Sequence, residues 1–528
     1  MLRTRAPLLL TVPALATVAA VLLPLAYLVV RAAGAERDDW EVLALDRIGP
    51  LVADTGVLVA VVVLWAAAIG VPLAWLVVRT DLPGRTFWAV ASALPLVIPS
   101  YVAALVLLGA LGPRGLLQDV LEEPFGVERL PEIYGLPGAA AALTLSTYPY
   151  VFLLTAAALR DLDPSLEEAA RSLGHTRLAA FRRVTLPALR PSVAAGCLLV
   201  ALYVLSDFGA VSLMDYPALT RSIYLQYQAL FDREPAAVLS LVLVCLAALV
   251  LVLESWFRRR ARYHRSSPGT ARVAAPVALG RWRWPALVFC SLVVGVFLVL
   301  PLAVLVYWSW GIAPLDRPLE LPWDQALNSM LASAVAAGIA ALAVLPVAFL
   351  SQRHRASWTS ALERASFTAN ALPGIVIALS LVFFGARYGG ILYQTLAMLV
   401  FAYVVRFLPQ ALAAAGAALR TVDPRVEEAA RGLGHGPLSV LLRVTVPMIR
   451  PGLLAGAALV FLSAMKELPA TLLLRPIGFD TLATEIWTAT SVAAYAEAAP
   501  SALLLVAVSA PFVYVLAARR GADVGPVD

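Results

Sequence analysis

Four ionisable side chains lie within long apolar stretches: Asp207, Arg406, Lys466 and Glu467. A charge at the centre of a membrane span costs at least about 2.5–3.5 kcal/mol, so such groups face a protein interior or a path, or they pair. Asp207 and Glu467 stand 260 positions apart, as do Ser206 and Lys466. One reading makes Asp207, Arg406, Lys466 and Glu467, with Tyr148, the polar lining or gate of a translocation path. The other makes them interhelical ion pairs, Arg406 with Glu467 or with Asp207. A gate can itself be an ion pair, so the two readings are compatible. Lys466 and Glu467 are adjacent, so they point to different helix faces and do not pair with each other.

Other chemistry is excluded by what these residues lack around them. Lys466 is the sole lysine, and it sits between Met465 and Glu467. A phosphate-binding loop needs Gly-Lys-Ser/Thr after a glycine-rich lead, so this chain carries none. If ATP powers it, the ATPase is another polypeptide. There is no Ser-His-Asp arrangement, no HExxH and no GxGxxG opening a strand–helix unit, so no catalytic residue is assigned. Cys197, Cys245 and Cys290 lie in apolar spans and have no metal or disulfide spacing, so they are read as packing residues. No metal site and no bound cofactor are assigned to the chain.

The elements that carry these groups follow from composition. The 528 residues are 61% hydrophobic and 14% charged, with mean hydropathy +0.84. Soluble domains average about 45–50% apolar and about 25% charged. A soluble enzyme, a disordered chain and a nucleic-acid binder are therefore excluded. A membrane helix needs about 20 mostly apolar residues. Twelve spans are predicted at about 8–30, 56–78, 87–110, 138–159, 192–214, 236–256, 285–309, 329–350, 367–385, 391–417, 452–474 and 499–518. The first is too long for a cleaved signal peptide and is read as retained. With both termini cytoplasmic, the inside loops hold about threefold more Lys and Arg than the outside loops, as the positive-inside rule requires. The net charge of +6 thus reports topology. Residues 257–284 form a basic cytoplasmic linker between a first half, 1–256, and a second, 285–528.

The halves share a duplicated cytoplasmic segment. Residues 163–191 and 423–451 match at 17 of 29 positions without a gap, mostly in polar and small residues. In each copy Asp163 or Asp423 caps a short helix and Pro164 or Pro424 sits at its first position. Leu166, Ala169, Ala170 and Leu173, and Val426, Ala429, Ala430 and Leu433, form a narrow apolar face. Gly174 and Gly434 are expected to end the helix in the left-handed region. A second short helix is expected to run to about Thr185, stopped by Pro187, with Pro447 as its counterpart. The first helix spans about 15 Å, too short to cross a membrane. Its small alanine-rich face suits a protein partner better than lipid. Two copies imply two docking sites.

The pattern Glu-Ala-Ala, then Gly, then an aliphatic residue and Leu-Pro resembles the signature loop of ABC importer permeases. Its carriers are Glu168, Ala169, Ala170, Gly174, Val184, Leu186 and Pro187 in 160–191, and Glu428, Ala429, Ala430, Gly434, Val444, Val446 and Pro447 in 420–451. His175 and His435, which follow the motif glycines, join them as coupling-loop candidates. Val446 replaces the leucine of the second copy. The resemblance implies an all-α polytopic protein with the type I importer permease fold and about twelve transmembrane helices in two six-helix pseudo-symmetric halves. It implies loops that dock on a dimeric ATPase subunit, which carries the ATP, and an extracytoplasmic solute-binding protein above a bacterial inner membrane. No nucleic-acid partner is implied.

Further motifs resemble the ferric-iron branch with fused halves: Ile98-Pro99-Ser100-Tyr101, Thr147-Tyr148-Pro149-Tyr150, Ser206-Asp207-Phe208-Gly209, Tyr403-Val404-Val405-Arg406 and Lys466-Glu467-Leu468-Pro469. Ferric iron is thereby the implied substrate. Ferric ion prefers oxygen ligands, and Tyr148, Tyr150, Tyr203 and Tyr403 lie in or near spans. Tyrosine in spans is mostly packing or interface anchoring, so these mark no site by themselves. Thiamine permeases share much of this pattern. A secondary transporter driven by an ion gradient is the alternative of another class, and paired docking loops argue against it.

Overall fold

The computed structural model describes residues 8–36, 40–112, 115–126, 129–162, 165–229, 234–261, 276–310, 321–354 and 356–522. Among these the architecture is helical. The β pairing found there is an isolated parallel bridge between Thr80 and Val277. Twelve helices are long and apolar enough to cross a membrane. The predicted spans each have a counterpart, but four are cut differently. The third span, expected as one helix, is divided into Arg85–Ala91, a 3-10 turn at Leu94–Val97, and Ser100–Leu111. Pro99 has no N–H to donate and holds Ile98 extended, at ψ 112°, so the helix must restart at Ser100. Pro373 does the same before Gly374–Phe384, after the helix Ser357–Ser366 and the turn Phe367–Ala371. The fifth and eleventh spans end at Ser206 and Met465, short of the predicted 214 and 474.

Packing divides the described chain into two compact units that do not follow chain order. The first comprises Met1–Leu43, Ile223–Val244 and Pro322–Glu485, and the second Ala44–Ser222, Cys245–Leu321 and Ile486–Asp528. In the first unit, Trp323–Arg353 packs on Leu396–Thr421 and on Val446–Met465. The N-terminal helix Leu8–Ala33 joins this core through Leu10, Ala14, Val18 and Val21. Thr17 Oγ1 donates to the Ala343 carbonyl at 3.3 Å. In the second unit, Leu45–Arg79 packs on Leu136–Asp161 and on Leu186–Ser206. The stretch Gly280–Trp310 and the last helix lie there too, with Trp308 packed on Gly109 and 6.2 Å from the Tyr495 ring.

Lipid is as apolar as leucine, so helix association in a membrane depends on close packing rather than on escape from water. Gly196 and Gly456, again 260 apart, supply it. A Cβ at Gly196 would lie 2.9 Å from Val151 Cα, and one at Gly456 would lie 3.1 Å from Ala411 Cα.

The far end of the basic linker is tied down. Val277 N–H donates to the Arg79 carbonyl at 2.8 Å, and Leu279 N–H donates to Asp81 Oδ1 at 2.8 Å. Residues 262–275 of the linker lie outside the described residues, as does part of the basic run Arg258–Arg265.

Candidate functional site

The duplicated segments fold alike. The first forms Ser165–Ser172, the second Pro424–Gly432. Asp423 caps its helix, accepting from Arg425 N–H at 3.0 Å, with Pro424 at the helix start. The matching Asp163 and Pro164 lie outside the described residues. Gly174 and Gly434 have φ of +88° and +87°. In both copies the following histidine N–H reaches back five residues, His175 to the Ala170 carbonyl and His435 to the Ala430 carbonyl, each at 3.2 Å. This is a Schellman closure, which needs a left-handed residue at the glycine.

Pro187 and Pro447 do not stop a helix, contrary to the sequence expectation. Each lies in the first turn of a long helix, Leu186–Ser206 or Val446–Met465. The turns before them, Phe181–Thr185 and Leu441–Thr445, are π-helical. A wider turn absorbs the missing proline N–H and the ring that would strike the preceding carbonyl, so the helix continues.

Each short helix is anchored by a glutamate that the sequence reading passed over. Glu167 accepts from Arg79 and from the Thr185 hydroxyl. Glu427 accepts from Arg353 Nε on both oxygens at 3.1 Å and from the Thr445 hydroxyl at 3.1 Å. Arg353 also donates to the Val422 carbonyl at 3.0 Å. The anchor turns Ala170 and Ala430 inward, both buried, and leaves Glu168, Ala169, Glu428 and Ala429 outward. Leu173 and Leu433 are 80% and 82% exposed. The expected apolar face is thus split: one alanine packs inward, and the other alanine and the leucine remain on the surface. His175 is half-buried and His435 exposed.

The ionisable groups of the spans collect where the fifth and eleventh helices break. Asp207 Oδ1 accepts from Ala210 N–H at 3.0 Å and Val211 N–H at 3.4 Å, capping Gly209–Leu213. Glu467 Oε2 accepts from Ala470 N–H at 2.8 Å and Thr471 N–H at 3.4 Å, capping Pro469–Leu474. A carboxylate serves there because a new helix start exposes N–H groups and a positive dipole end. Each backbone carbonyl at the break is met by a threonine hydroxyl, Thr220 at 2.6 Å and Thr471 at 2.5 Å. Tyr403 bonds the same Thr471 at 2.6 Å.

The other partners differ. Asp207 Oδ2 accepts from Ser100. Glu467 Oε1 lies 3.4 Å from Arg406 Nη1, in a charge contact without an aligned hydrogen bond. Gly374 makes room for that pair: a Cβ there would strike Arg406 Nη1 and come within 2.5 Å of Glu467 Oε1. Lys466 is half-buried at the C-terminal cap of Val446–Met465. Tyr148 lies elsewhere, fully buried in helix packing with its ring 5.3 Å from Phe297.

Comparison with known proteins bears directly on these repeats. The family of binding-protein-dependent transport system inner membrane components matches residues 66–263 and again 344–520. The chain belongs to this family. Its type I permease domain is present twice in one all-helical polytopic chain. An Fe(3+)-transport system permease protein of Haemophilus influenzae is 32% identical over 500 residues, 94% of this chain and 95% of that relative. A ferric transport system permease protein of Actinobacillus pleuropneumoniae is 26% identical over 425 residues, 75% of this chain and 60% of the relative. A molybdenum transport system permease protein of Escherichia coli is 31% identical over 206 residues, 38% of this chain and 89% of the relative.

In the permease, Arg79 and Arg353 are the anchoring residues that a single repeat offset hides. They match at an offset of 274, as do Ser100 and Gly374, whereas the fourth span, the duplicated segment and the fifth span match their counterparts at 260. The first half carries extra chain between, around the helix Leu116–Phe125.

Proposed function

We propose that the permease is the transmembrane subunit of an ATP-driven importer that moves ferric iron into the cytoplasm by alternating access. A solute-binding protein delivers the iron outside, and a dimeric ATPase subunit docks on the duplicated helices inside. The chain itself hydrolyses nothing and binds no nucleotide. Both termini are cytoplasmic. The observation that carries the reading is the twofold anchored helix: one glutamate pinned to a span arginine, one αL glycine, and one leucine left outward in each copy. Two equal knobs suit two equal clefts on a paired partner. Iron is favoured as cargo because the likeness to a ferric permease covers 94% of the chain, whereas that to the molybdenum permease covers 38%. Thiamine and gradient-driven transport predict other outcomes in the same assay.

The test is uptake into proteoliposomes holding the permease with its ATPase subunit, with radioactive ferric ion supplied on the binding protein. Uptake should require internal ATP and survive collapse of ion gradients. Uptake driven by a gradient without ATP overturns the reading, as does ATP-driven uptake of thiamine or molybdate with none of iron.

A further inference from the structure

The break in the first repeat gathers four oxygen-bearing side chains from three helices of one unit. Tyr203 and Asp207 stand one turn apart at the end of Leu186–Ser206. Ser100, the first residue of Ser100–Leu111, donates to Asp207. Tyr203 is in hydrogen-bonding reach of Ser100 and in electrostatic range of Asp207. Tyr150, from Leu136–Asp161, sets its ring beside Tyr203 with centroids 6.1 Å apart and planes at 44°. Both phenol residues are half-buried, although Pro149, Val151 and Val204 around them are buried.

The second repeat has lost this donor set. Gly374 stands for Ser100, Gln410 for Tyr150 and Ser463 for Tyr203. Ser463 donates to Gln410 Oε1 at 2.9 Å, so amide and hydroxyl satisfy each other. Arg406, in place of Ser146, sets a guanidinium against the carboxylate.

We propose that Tyr150, Tyr203, Asp207 and Ser100 form a transient site for a hard trivalent cation, and that only the first repeat provides one. The inference rests on the ferric reading above and names the side chains that would meet the ion. Carboxylate, phenolate and hydroxyl oxygens are the donors such an ion prefers. As a phenol ligates the ion, its O–H proton passes to water, and it takes a proton back on release; no electron moves. The site is suited to transfer rather than storage. Asp207 already accepts from two backbone amides and a serine, so the ion must compete for it. At the second break a guanidinium occupies the carboxylate and repels a cation.

The test uses the complete transporter in proteoliposomes and radioactive ferric ion on the binding protein. Tyr150→Phe with Tyr203→Phe keeps both rings and should lower uptake at least tenfold at equal membrane abundance. The permease in nanodiscs, titrated with ferric nitrilotriacetate, should develop a visible iron–phenolate charge-transfer band that the double variant lacks. If the double variant fails to reach the membrane, the two single variants carry the same comparison. Uptake within twofold of the unaltered protein, or a band that persists without both phenols, overturns the site. No iron uptake by the unaltered protein overturns the ferric reading instead, and the band then decides the site alone.

Discussion

The duplicated helices and the span breaks have diverged to different degrees since the halves were copied. The helices kept their anchor residue for residue: Glu167 and Glu427, Arg79 and Arg353, Thr185 and Thr445. The breaks kept the capping carboxylate and changed nearly everything around it, and even the threonines that meet the two backbone carbonyls, Thr220 and Thr471, come from positions that do not match. Ser100, Tyr150, Tyr203, Ser146 and Ser206 of the first repeat became Gly374, Gln410, Ser463, Arg406 and Lys466 in the second. In the proposed docking, a paired soluble partner would present the same surface twice and hold both helices to one shape. A cargo crosses once and has no twofold symmetry, so the membrane interior is free to become one-sided. The conserved part of each break is the part that backbone hydrogen bonding demands inside a membrane.

The sharpest way to break this comparison is at the charge that only the second repeat carries. Arg406→Ala leaves Glu467 buried without its counter-charge, at a cost of about 3–5 kcal/mol. Folded permease extracted from membranes should fall severalfold, and Glu467→Gln in the same chain should restore most of it. Ser146→Ala, the matching change in the first repeat, removes only a hydroxyl bonded to the Ala142 carbonyl one turn back and should cost about 1 kcal/mol. Equal effects of Arg406→Ala and Ser146→Ala would show that the asymmetry has no energetic content.

Next in size is the loss of the left-handed glycines. Gly174→Val together with Gly434→Val forces a β-branched residue to φ near +88°, at about 1–2 kcal/mol per position. Nothing lies within 4 Å of either Cβ position, so the strain is in the backbone alone. Stimulation of the ATPase subunit should drop at least tenfold while insertion continues. The two single variants should lose similar amounts; undiminished stimulation in the double variant would remove the docking assignment.

The smallest expected effect falls on the exposed leucines. Leu173→Ala and Leu433→Ala should leave thermal stability unchanged within about 0.5 kcal/mol and lower ATPase stimulation a few-fold, equally. A large difference between them would mean that the partner meets the two helices differently.

Much of this molecule was legible in its sequence because the membrane imposes simple rules. Twelve apolar stretches gave twelve helices, and the αL geometry followed from a glycine after each amphipathic run. Of the two ion pairs the sequence allowed, Arg406 forms the one with Glu467, while Asp207 takes backbone amides and a serine. What escaped were features that depend on distant chain. Arg79 lies 88 residues from Glu167, and Arg353 lies 74 from Glu427, so no local pattern joins them. Apolar composition also runs through the breaks at Asp207 and Glu467, and hydropathy therefore cannot place them. Only the carboxylate followed by small residues or proline marks where a new helix must be capped. Pro187 misled for the converse reason: a π turn before a proline leaves no signature in residue types.

The N-terminal helix has a further consequence, in the timing of synthesis. Its contact from Thr17 to Ala343 spans 326 residues and that from Tyr27 to Phe383 spans 356. At about 5–20 residues per second on the ribosome, that separation is tens of seconds. A helix made so much earlier must wait in the bilayer for the partner it will pack on. Leu10, Ala14, Val18 and Val21, the residues it will later bury, are all apolar, so lipid solvates them in the meantime. A charged residue on that face would have no partner throughout the wait, and the nascent chain, rather than the finished fold, would bear its cost.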